Sequence, residues 1–279
     1  MKAIGIMQGR LVPRYQGRYQ AFPAGYWSAE FHIARELGFQ HIEFILDHGT
    51  EALNPLMSTS GIQELKTVIS ESGVNVKSIC ADYFMQAPFH SEHGSKSVSV
   101  LKTLIRNSAQ IGVTDIVIPC VDQSSMKTPA DQKQVTNSIA ACLPDAEAAN
   151  ININFETDLA PKPFRDFLKG FQSNAIKVNY DSGNSASLGY RPNEEFEMYG
   201  EYVSDVHVKD RVFGGGSVEL GTGHTQFDEF FGCLKAIGFK GLINLQASRA
   251  DQYRDETTRV TRQLEFTRRY VERYLEGQP

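Results

Sequence analysis

The sequence has few of the features that would assign it to a specialised class of protein. It contains four cysteines in 279 residues, and they stand far apart without a CxxC pair. A scattered set in a chain of this length argues against a disulfide scaffold or a structural zinc motif. We therefore expect the cysteines to be reduced and buried.

Basic charge and long apolar runs are also lacking. The net charge is −5, and such a chain does not depend on attraction to phosphate backbones, so nucleic acid is not expected as a partner. No run approaches the roughly 18 uninterrupted apolar residues of a membrane span. The opening MKAIGIMQGR reaches Gln8 and Arg10 before the apolar core of a signal peptide can form. We expect a cytoplasmic protein with no membrane partner.

What the sequence does contain is a regular alternation of short β-type runs with longer amphipathic patterns. The predicted strands are 3–7, 41–45, 76–81, 115–119, 151–156, 175–181, 203–208 and 242–246. The helical patterns begin near Ala29, Gly61, Lys96, Pro129, Pro163, Asn193, Phe227 and Arg254. Glycines between a helix and the next strand mark expected left-handed helix ends, at Gly38, Gly73, Gly112 and Gly238.

Eight strands, each followed by a helix, suit a closed parallel barrel or a large open sheet. No GxGxxG or phosphate-binding loop follows the first strand, which removes the main argument for the open sheet. A single (β/α)₈ barrel takes about 250 residues. We therefore predict an α/β fold of the TIM-barrel type, with residues 1–279 as one domain. The long connections 8–27, 82–95 and 209–226 all follow strands, and this is the end of a barrel where active sites are built.

Four of the predicted strands have one apolar and one polar face. They are 151–156, 176–181, 205–209 and 243–246. In a barrel the apolar face packs on the helices and the polar face points inward. The last inward positions near the strand ends are Glu156, Asp181, His207 and Gln246. Carboxylates, an imidazole and an amide oxygen at one barrel mouth could hold a divalent cation, Mn²⁺, Mg²⁺, Co²⁺ or Zn²⁺. The alternative is an internal network of hydrogen bonds and ion pairs, since buried polar groups must pair.

Segments along nearly the whole chain resemble the xylose isomerase-like TIM-barrel superfamily, which contains sugar isomerases and epimerases and is grouped with AP endonucleases of family 2. These segments are GIMQGRL (5–11), WSAEFHIARELGFQHIE (27–43), SICADYF (78–84), NFE (154–156), NYDSGNSASLGY (179–190), VHVKDR (206–211) and LGTGHTQF (220–227). The resemblance implies a metal bound by a Glu, an Asp, a His and a second Glu. The first three match Glu156, Asp181 and His207.

Two positions depart from the family pattern. Gln246 stands where the second glutamate is expected, and Asn184 replaces a histidine that often follows the metal-binding Asp. An amide oxygen can bind a metal, but glutamine cannot take or return a proton at ordinary pH. The two-carboxylate epimerase scheme is therefore weakened. A proton shuttle by Glu156 alone, through a cis-enediolate, fits what remains.

Other residues are candidates for contacts with the substrate, a small sugar or sugar phosphate. Lys209 and Arg211 could hold a phosphate, a carboxylate or distal hydroxyls, and Arg211 could instead brace its own loop. The remaining candidates at or near strand ends are Gln8, Glu43, Asp82 and Asn184. We expect Asp210 to brace the loop, residues 214–216 to form a hinge or hairpin turn, and His224 to lie on the surface.

Three rival functions stay open. A metal-dependent AP endonuclease needs more histidine ligands than this chain offers, and the acidic balance also opposes it. A keto-sugar or keto-inositol dehydratase begins with the same proton abstraction, and Gln246 favours it. A sugar-binding barrel without turnover would keep the pocket alone. The sequence does not fix the substrate or the oligomeric state, although barrels of this kind often form homo-oligomers.

Overall fold

The computed structural model describes residues 2–249 and 256–276. Its centre is a closed barrel of eight parallel strands. The strands are β1 (Ile4–Met7), β2 (His41–Ile45), β3 (Asn75–Cys80), β4 (Asp115–Cys120), β5 (Asn152–Thr157), β6 (Ile176–Asp181), β7 (Val203–Val208) and β10 (Leu242–Leu245). A separate antiparallel pair, β8 (Asp210–Arg211) and β9 (Ser217–Val218), follows β7. The predicted (β/α)₈ barrel is confirmed.

Helices surround the barrel between successive strands. They are α1 (Ala29–Leu37), α2 (Thr59–Ser72), α3 (Tyr83–Gln86), α4 (Gly94–Ser108), α5 (Pro129–Ala140), α6 (Leu143–Ala149), α7 (Pro161–Leu168), α8 (Ser182–Leu188), α9 (Pro192–Tyr199), α10 (Phe227–Ala236) and α11 (Glu256–Val271). The predicted start of the last helix, near Arg254, lies outside the described residues. The sequence patterns did not separate α3, α6 and α8 from their neighbours.

Alternation along the strands divides apolar from polar side chains as expected. Outward residues such as Ile153, Phe155 and Val206 are fully buried under the helices. Inward residues form a hydrogen-bonded interior, in which Asp205 accepts from the amides of Asn179 and Asn244. The polar interior therefore pairs with itself over most of the barrel's depth, and the strand ends above it are left to form a site.

Glycine allows the barrel to close at its first strand. Gly5 pairs with His41 of β2 on one side and with Asn244 of β10 on the other. A Cβ atom at Gly5 would lie 2.2 Å from His41 Nε2 and 2.6 Å from Asn244 Oδ1. The missing side chain makes room for the 2.9 Å contact between those two side chains. The four glycines at helix ends also have the expected positive φ angles.

Candidate active site and metal centre

Three of the predicted ligands converge at the carboxyl ends of adjacent strands. Glu156 lies on β5, Asp181 ends β6, and His207 lies on β7, where its Cα is paired with that of Asp181. One ligand atom from each residue lies within 4.8 Å of the others. His207 Nδ1 is 3.6 Å from Asp181 Oδ2 and 3.7 Å from Glu156 Oε2. This spacing leaves room for a small cation between the three side chains.

The imidazole of His207 lies against a carboxylate deeper in the barrel. Glu43 Oε2, from β2, lies 2.8 Å from His207 Nε2, and both side chains are fully buried. Nδ1 has no hydrogen-bond partner among the described residues. A carboxylate beside one ring nitrogen favours a proton there and turns the other nitrogen toward the site, where a metal ion could take the place of its proton. Glu43 therefore presents Nδ1 to Asp181 and Glu156.

Gln246, directly after β10, offers an oxygen to the same region. Its Nε2 donates to Oε1 of Gln20 at 3.0 Å. Its Oε1 is buried and has no hydrogen-bond partner within the described ranges. A buried carbonyl oxygen without a donor is costly unless something else binds it. Because the nitrogen is already engaged, the oxygen is the atom left for a cation.

Gln20 was not identified from the sequence, and it links several parts of the site. Its Oε1 also accepts from Arg10 at 2.7 Å, and its Nε2 donates to Asp82 Oδ2 at 2.8 Å. Asp47, after β2, anchors the surrounding loop by accepting from Arg18 at 2.7 Å and from the Phe22 backbone at 2.8 Å. Gln20 lies within a loop without periodicity, so no sequence pattern could have identified it.

Asn184 makes a second group of contacts on the other side of Glu156. Its Nδ2 donates to Glu156 Oε1. Its Oδ1 accepts from Lys209 Nζ at 3.1 Å and from Arg211 at 2.8 Å. Lys209 Nζ also lies 3.1 Å from Asp181 Oδ2. One amide therefore holds a carboxylate with its nitrogen and two cationic side chains with its oxygen.

Burial and the charges of the cluster shift the pKa values of its members in different directions. Burial, and then the neighbouring Asp181 carboxylate, raises the pKa of Glu156 to about 7. Burial opposes ionisation of Asp181, but Lys209 and His207 outweigh it and lower the pKa of Asp181. Burial also disfavours the charged form of His207, but Glu43, Asp181 and Glu156 raise its pKa well above the ordinary value. The site attracts positive charge, as a metal site must.

An open cavity of about 730 Å³ lies over this cluster. Its walls include six of the predicted site residues, Asp82, Glu156, Asn184, Lys209, Arg211 and Gln246. Residues not proposed from the sequence as site residues complete it, among them Gln20, Cys80 and Asp158. The volume is in the usual range for a small-molecule site.

Two predicted substrate contacts lie elsewhere. Gln8 is fully buried, and its Oε1 accepts from the Ile45 backbone. Glu43 lies under His207. Neither lines the cavity, because each side chain lies inside the barrel, where Glu43 is placed to orient His207.

The loop after β7 follows most of the expectations. Asp210 accepts from three backbone N–H groups, those of Gly221, Gly223 and Thr225, which confirms it as a brace. Residues 214–216 lie between β8 and β9, so they form the expected hairpin turn. Arg211 contacts the Gly215 carbonyl rather than an acidic partner. His224 Nδ1 accepts from the Phe213 backbone.

A parallel barrel with carboxylates and a histidine gathered at its strand ends is typical of one class of proteins, and comparison with known families agrees. The model of the family described as xylose isomerase-like TIM barrel matches residues 31–270. The chain belongs to this family. No helix among the described residues is long and apolar enough to cross a membrane.

Individual relatives are more distant. The chain is 23% identical over 248 residues to L-ribulose-5-phosphate 3-epimerase UlaE of Escherichia coli, covering 83% of this chain and 87% of the relative. Among solved structures, an L-ribulose 3-epimerase has a TM-score of 0.77 at 18% identity and covers 99% of this chain and 96% of its own. D-psicose 3-epimerase of Clostridium cellulolyticum H10, solved with D-tagatose, has a TM-score of 0.76 at 16% identity and covers 97% and 99%. The zinc-bound IOLI protein has a TM-score of 0.76 at 14% identity, covering 98% and 99%.

Proposed function

We propose that the chain is a divalent-metal-dependent sugar or sugar-phosphate epimerase or isomerase. The observation that carries this proposal is the convergence of Glu156, Asp181 and His207 beneath a cavity, with His207 Nδ1 unpartnered among the described residues. The named activities of the relatives, which are ketose and ketose-phosphate epimerases, support the same class.

The residues present fit a metal ion. Glu156, Asp181, His207 and Gln246 would hold it, with Gln246 Oε1 as the fourth ligand because that buried atom has no other described partner. Oxygen-rich ligands with one imidazole suit Mn²⁺, Mg²⁺, Co²⁺ or Zn²⁺. When bound, the ion supplies Lewis-acid stabilisation of negative charge on the substrate oxygens.

Glu156 is the proton carrier in this proposal. It takes the proton from the carbon next to the substrate carbonyl, and the C–H electron pair becomes part of the enediolate. With its pKa raised to about 7 by burial and by Asp181, the group can both accept and return a proton near neutral pH. Asn184 orients the carboxylate through Oε1. Lys209 and Arg211 line the same wall and would bind substrate oxygens.

Metal analysis combined with solvent-deuterium incorporation tests the proposal. The substrates are L-ribulose, L-ribulose 5-phosphate, D-psicose and D-tagatose, each with added Mn²⁺, Mg²⁺, Co²⁺ or Zn²⁺. We expect metal-dependent exchange of a carbon-bound proton with at least one sugar, and Glu156→Gln should slow conversion of that sugar into its product by about 10²-fold or more. Absence of exchange with every sugar and ion would overturn the proposal.

A dehydratase acting on a keto-sugar is the second candidate, because the amide of Gln246 cannot return a proton. It shares the first proton abstraction and differs in losing water. Mass spectrometry of the products distinguishes the two, since an epimer keeps the substrate mass and a dehydration product is lighter by one water. A sugar-binding barrel would instead bind equally well in Glu156→Gln and show no exchange.

A further inference from the structure

The proposed reaction leaves one chemical role unassigned. Inverting a carbon centre requires a proton to leave one face and another to arrive at the opposite face. Glu156 supplies one of these functions, and Gln246 cannot supply the other because its amide does not titrate. If the reaction is an epimerisation, a second acid must reach the cavity from a different wall.

Most carboxyl groups lining the cavity are unsuited to this role. Asp47 is committed to Arg18 and to the Phe22 backbone. Asp158 directly follows β5 and stands two residues after Glu156, so it reaches the cavity from the same wall as Glu156. Asp122 is exposed at the rim, where water would compete for its proton. Asp82 is the remaining acid in the described lining other than Glu156.

Asp82 is held in a defined orientation. It follows β3, two strands away from Glu156 on β5, so the two acids approach the cavity from different walls. Its Oδ2 accepts from Gln20 at 2.8 Å, and its Oδ1 accepts from Cys80 Sγ at 3.2 Å. Neither partner is a cation, so the carboxyl group is fixed without a directly bound positive charge.

We propose that Asp82 is the second acid–base residue, exchanging a proton with the face of the reacting carbon opposite to Glu156. This inference rests on the proposed function. Asp82 would provide, from another strand, the carboxyl group that is missing at position 246, where this chain has Gln246. Gln20 connects the two positions, since one end of its amide holds Gln246 and the other holds Asp82.

The proton balance is simple. Glu156 carboxylate takes the proton from carbon and becomes the carboxylic acid, while the C–H pair forms the double bond of the enediolate. Asp82, as the carboxylic acid, gives its proton to the opposite face of the same carbon, and the electron pair returns to a new C–H bond. Solvent then restores both groups. The reverse reaction starts with Asp82 as the base.

The environment of Asp82 suits a group that must hold a proton part of the time. Burial is the largest cause that raises its pKa, and the Gln20 hydrogen bond opposes it. A fully ionised surface carboxylate would be a poor acid for this step, because efficient proton carriers have pKa values near the working pH.

The test measures deuterium incorporation separately from each member of an epimer pair, using the metal-loaded full chain. The sugars are the ketose that exchanges best in the panel above and its C3 epimer. We expect Asp82→Asn to slow interconversion by about 10²-fold or more, while exchange from one epimer stays within about tenfold of the unmodified protein. Glu156→Gln should preserve exchange from the opposite epimer.

Asp145→Asn is the matched control, because it removes an exposed carboxylate of α6 that does not line the cavity, and it should leave both rates unchanged. Circular dichroism and metal content of Asp82→Asn show whether the variant is folded and loaded. Interconversion within tenfold of the unmodified protein would overturn the inference, and so would equal loss of exchange from both epimers in a folded, metal-loaded variant. If the unmodified protein exchanges neither epimer, the proposed function itself fails.

Discussion

At the scale of single residues, the site is organised by side chains that are not among the proposed metal ligands. Glu43 lies 2.8 Å from His207 Nε2 deep in the barrel, and Gln20 determines which atom of Gln246 is left over. Such partners fix ligand orientation and commonly change metal affinity when altered. The four proposed ligands alone therefore describe only part of the proposed metal centre.

Glu43→Gln tests this positioning role. The amide keeps the shape but removes the charge that favours a proton on Nε2, so Nδ1 becomes a weaker and less well oriented ligand. We expect about tenfold weaker Mn²⁺ binding by calorimetric titration, with the fold retained. Glu64→Gln, on the exposed face of α2, is the control. Equal affinity in both variants would show that Glu43 does not position the ligand.

His41 gives a prediction about pH. Burial lowers its pKa to about 4, although the hydrogen bond with Asn244 opposes the shift. A group with a lowered folded pKa stabilises the protein above its unfolded pKa of about 6.5, and this contribution falls as the pH drops toward 4. Between pH 7 and 5 the loss amounts to about 2 kcal/mol.

We therefore expect the free energy of unfolding of His41→Gln to fall less than that of the unmodified protein over this range. Urea unfolding at pH 7 and pH 5 measures the difference. Because His207 is present in both proteins, its opposite shift cancels in the comparison. Parallel pH profiles would show that His41 is not the group responsible.

At the scale of elements, the strands were the most predictable part of the fold. Each predicted strand agrees with the structure to within one residue at either end, because alternation and β-branched runs are local signals. Helix α8 was missed because SGNSASL has weak helix formers, and Asp181 starts it by accepting from the backbone of Gly183 and Asn184. The patterns did not separate α6 from α5.

The candidate site also has residues that local sequence patterns predict and residues that they do not. Glu156, Asp181 and His207 were predictable because strand parity and strand ends determine where they lie. Gln20, Cys80 and the altered role of Glu43 were not, because they depend on how a long loop and the barrel interior pack in three dimensions. Local patterns contain no information about those contacts.

The loop after β7 offers a test at this scale. Asp210 accepts three backbone hydrogen bonds from residues 221–225. Hydrogen bonds to a buried carboxylate contribute about 2 kcal/mol, so Asp210→Ala should speed hydrogen exchange in 219–225 by about thirtyfold. Glu219→Ala, which removes only partly exposed ion pairs with Arg259 and Arg262, should change exchange little. Faster exchange in Glu219→Ala than in Asp210→Ala would contradict the assignment of Asp210 as the brace of this loop.

At the scale of the whole molecule, stability depends on closing the barrel between β1 and β10. The two strands come from opposite ends of the described chain and pair in parallel. We propose that residues 1–279 behave as one domain and unfold in a single transition, because no strand can leave the barrel without opening two neighbouring pairs.

Gly5→Ala tests the closure. The added Cβ would overlap His41 and Asn244, and overpacking of this kind costs about 3 kcal/mol. Urea unfolding should show a lower midpoint for the whole transition rather than a separate phase. Gly232→Ala, in α10 with its nearest neighbouring atom 4.0 Å away, should be neutral or more stable by about 0.5 kcal/mol. An unchanged midpoint for Gly5→Ala would exclude this view of the closure.

The position of Asn184 has a consequence for protein engineering. Its amide contacts the proposed proton carrier on one side and both Lys209 and Arg211 on the other. Substitutions at this position will therefore change substrate selectivity and turnover together, and a library varied only there cannot optimise one without altering the other. Residue 184 should be diversified in combination with 209 and 211, so that compensating changes can be selected in the same round.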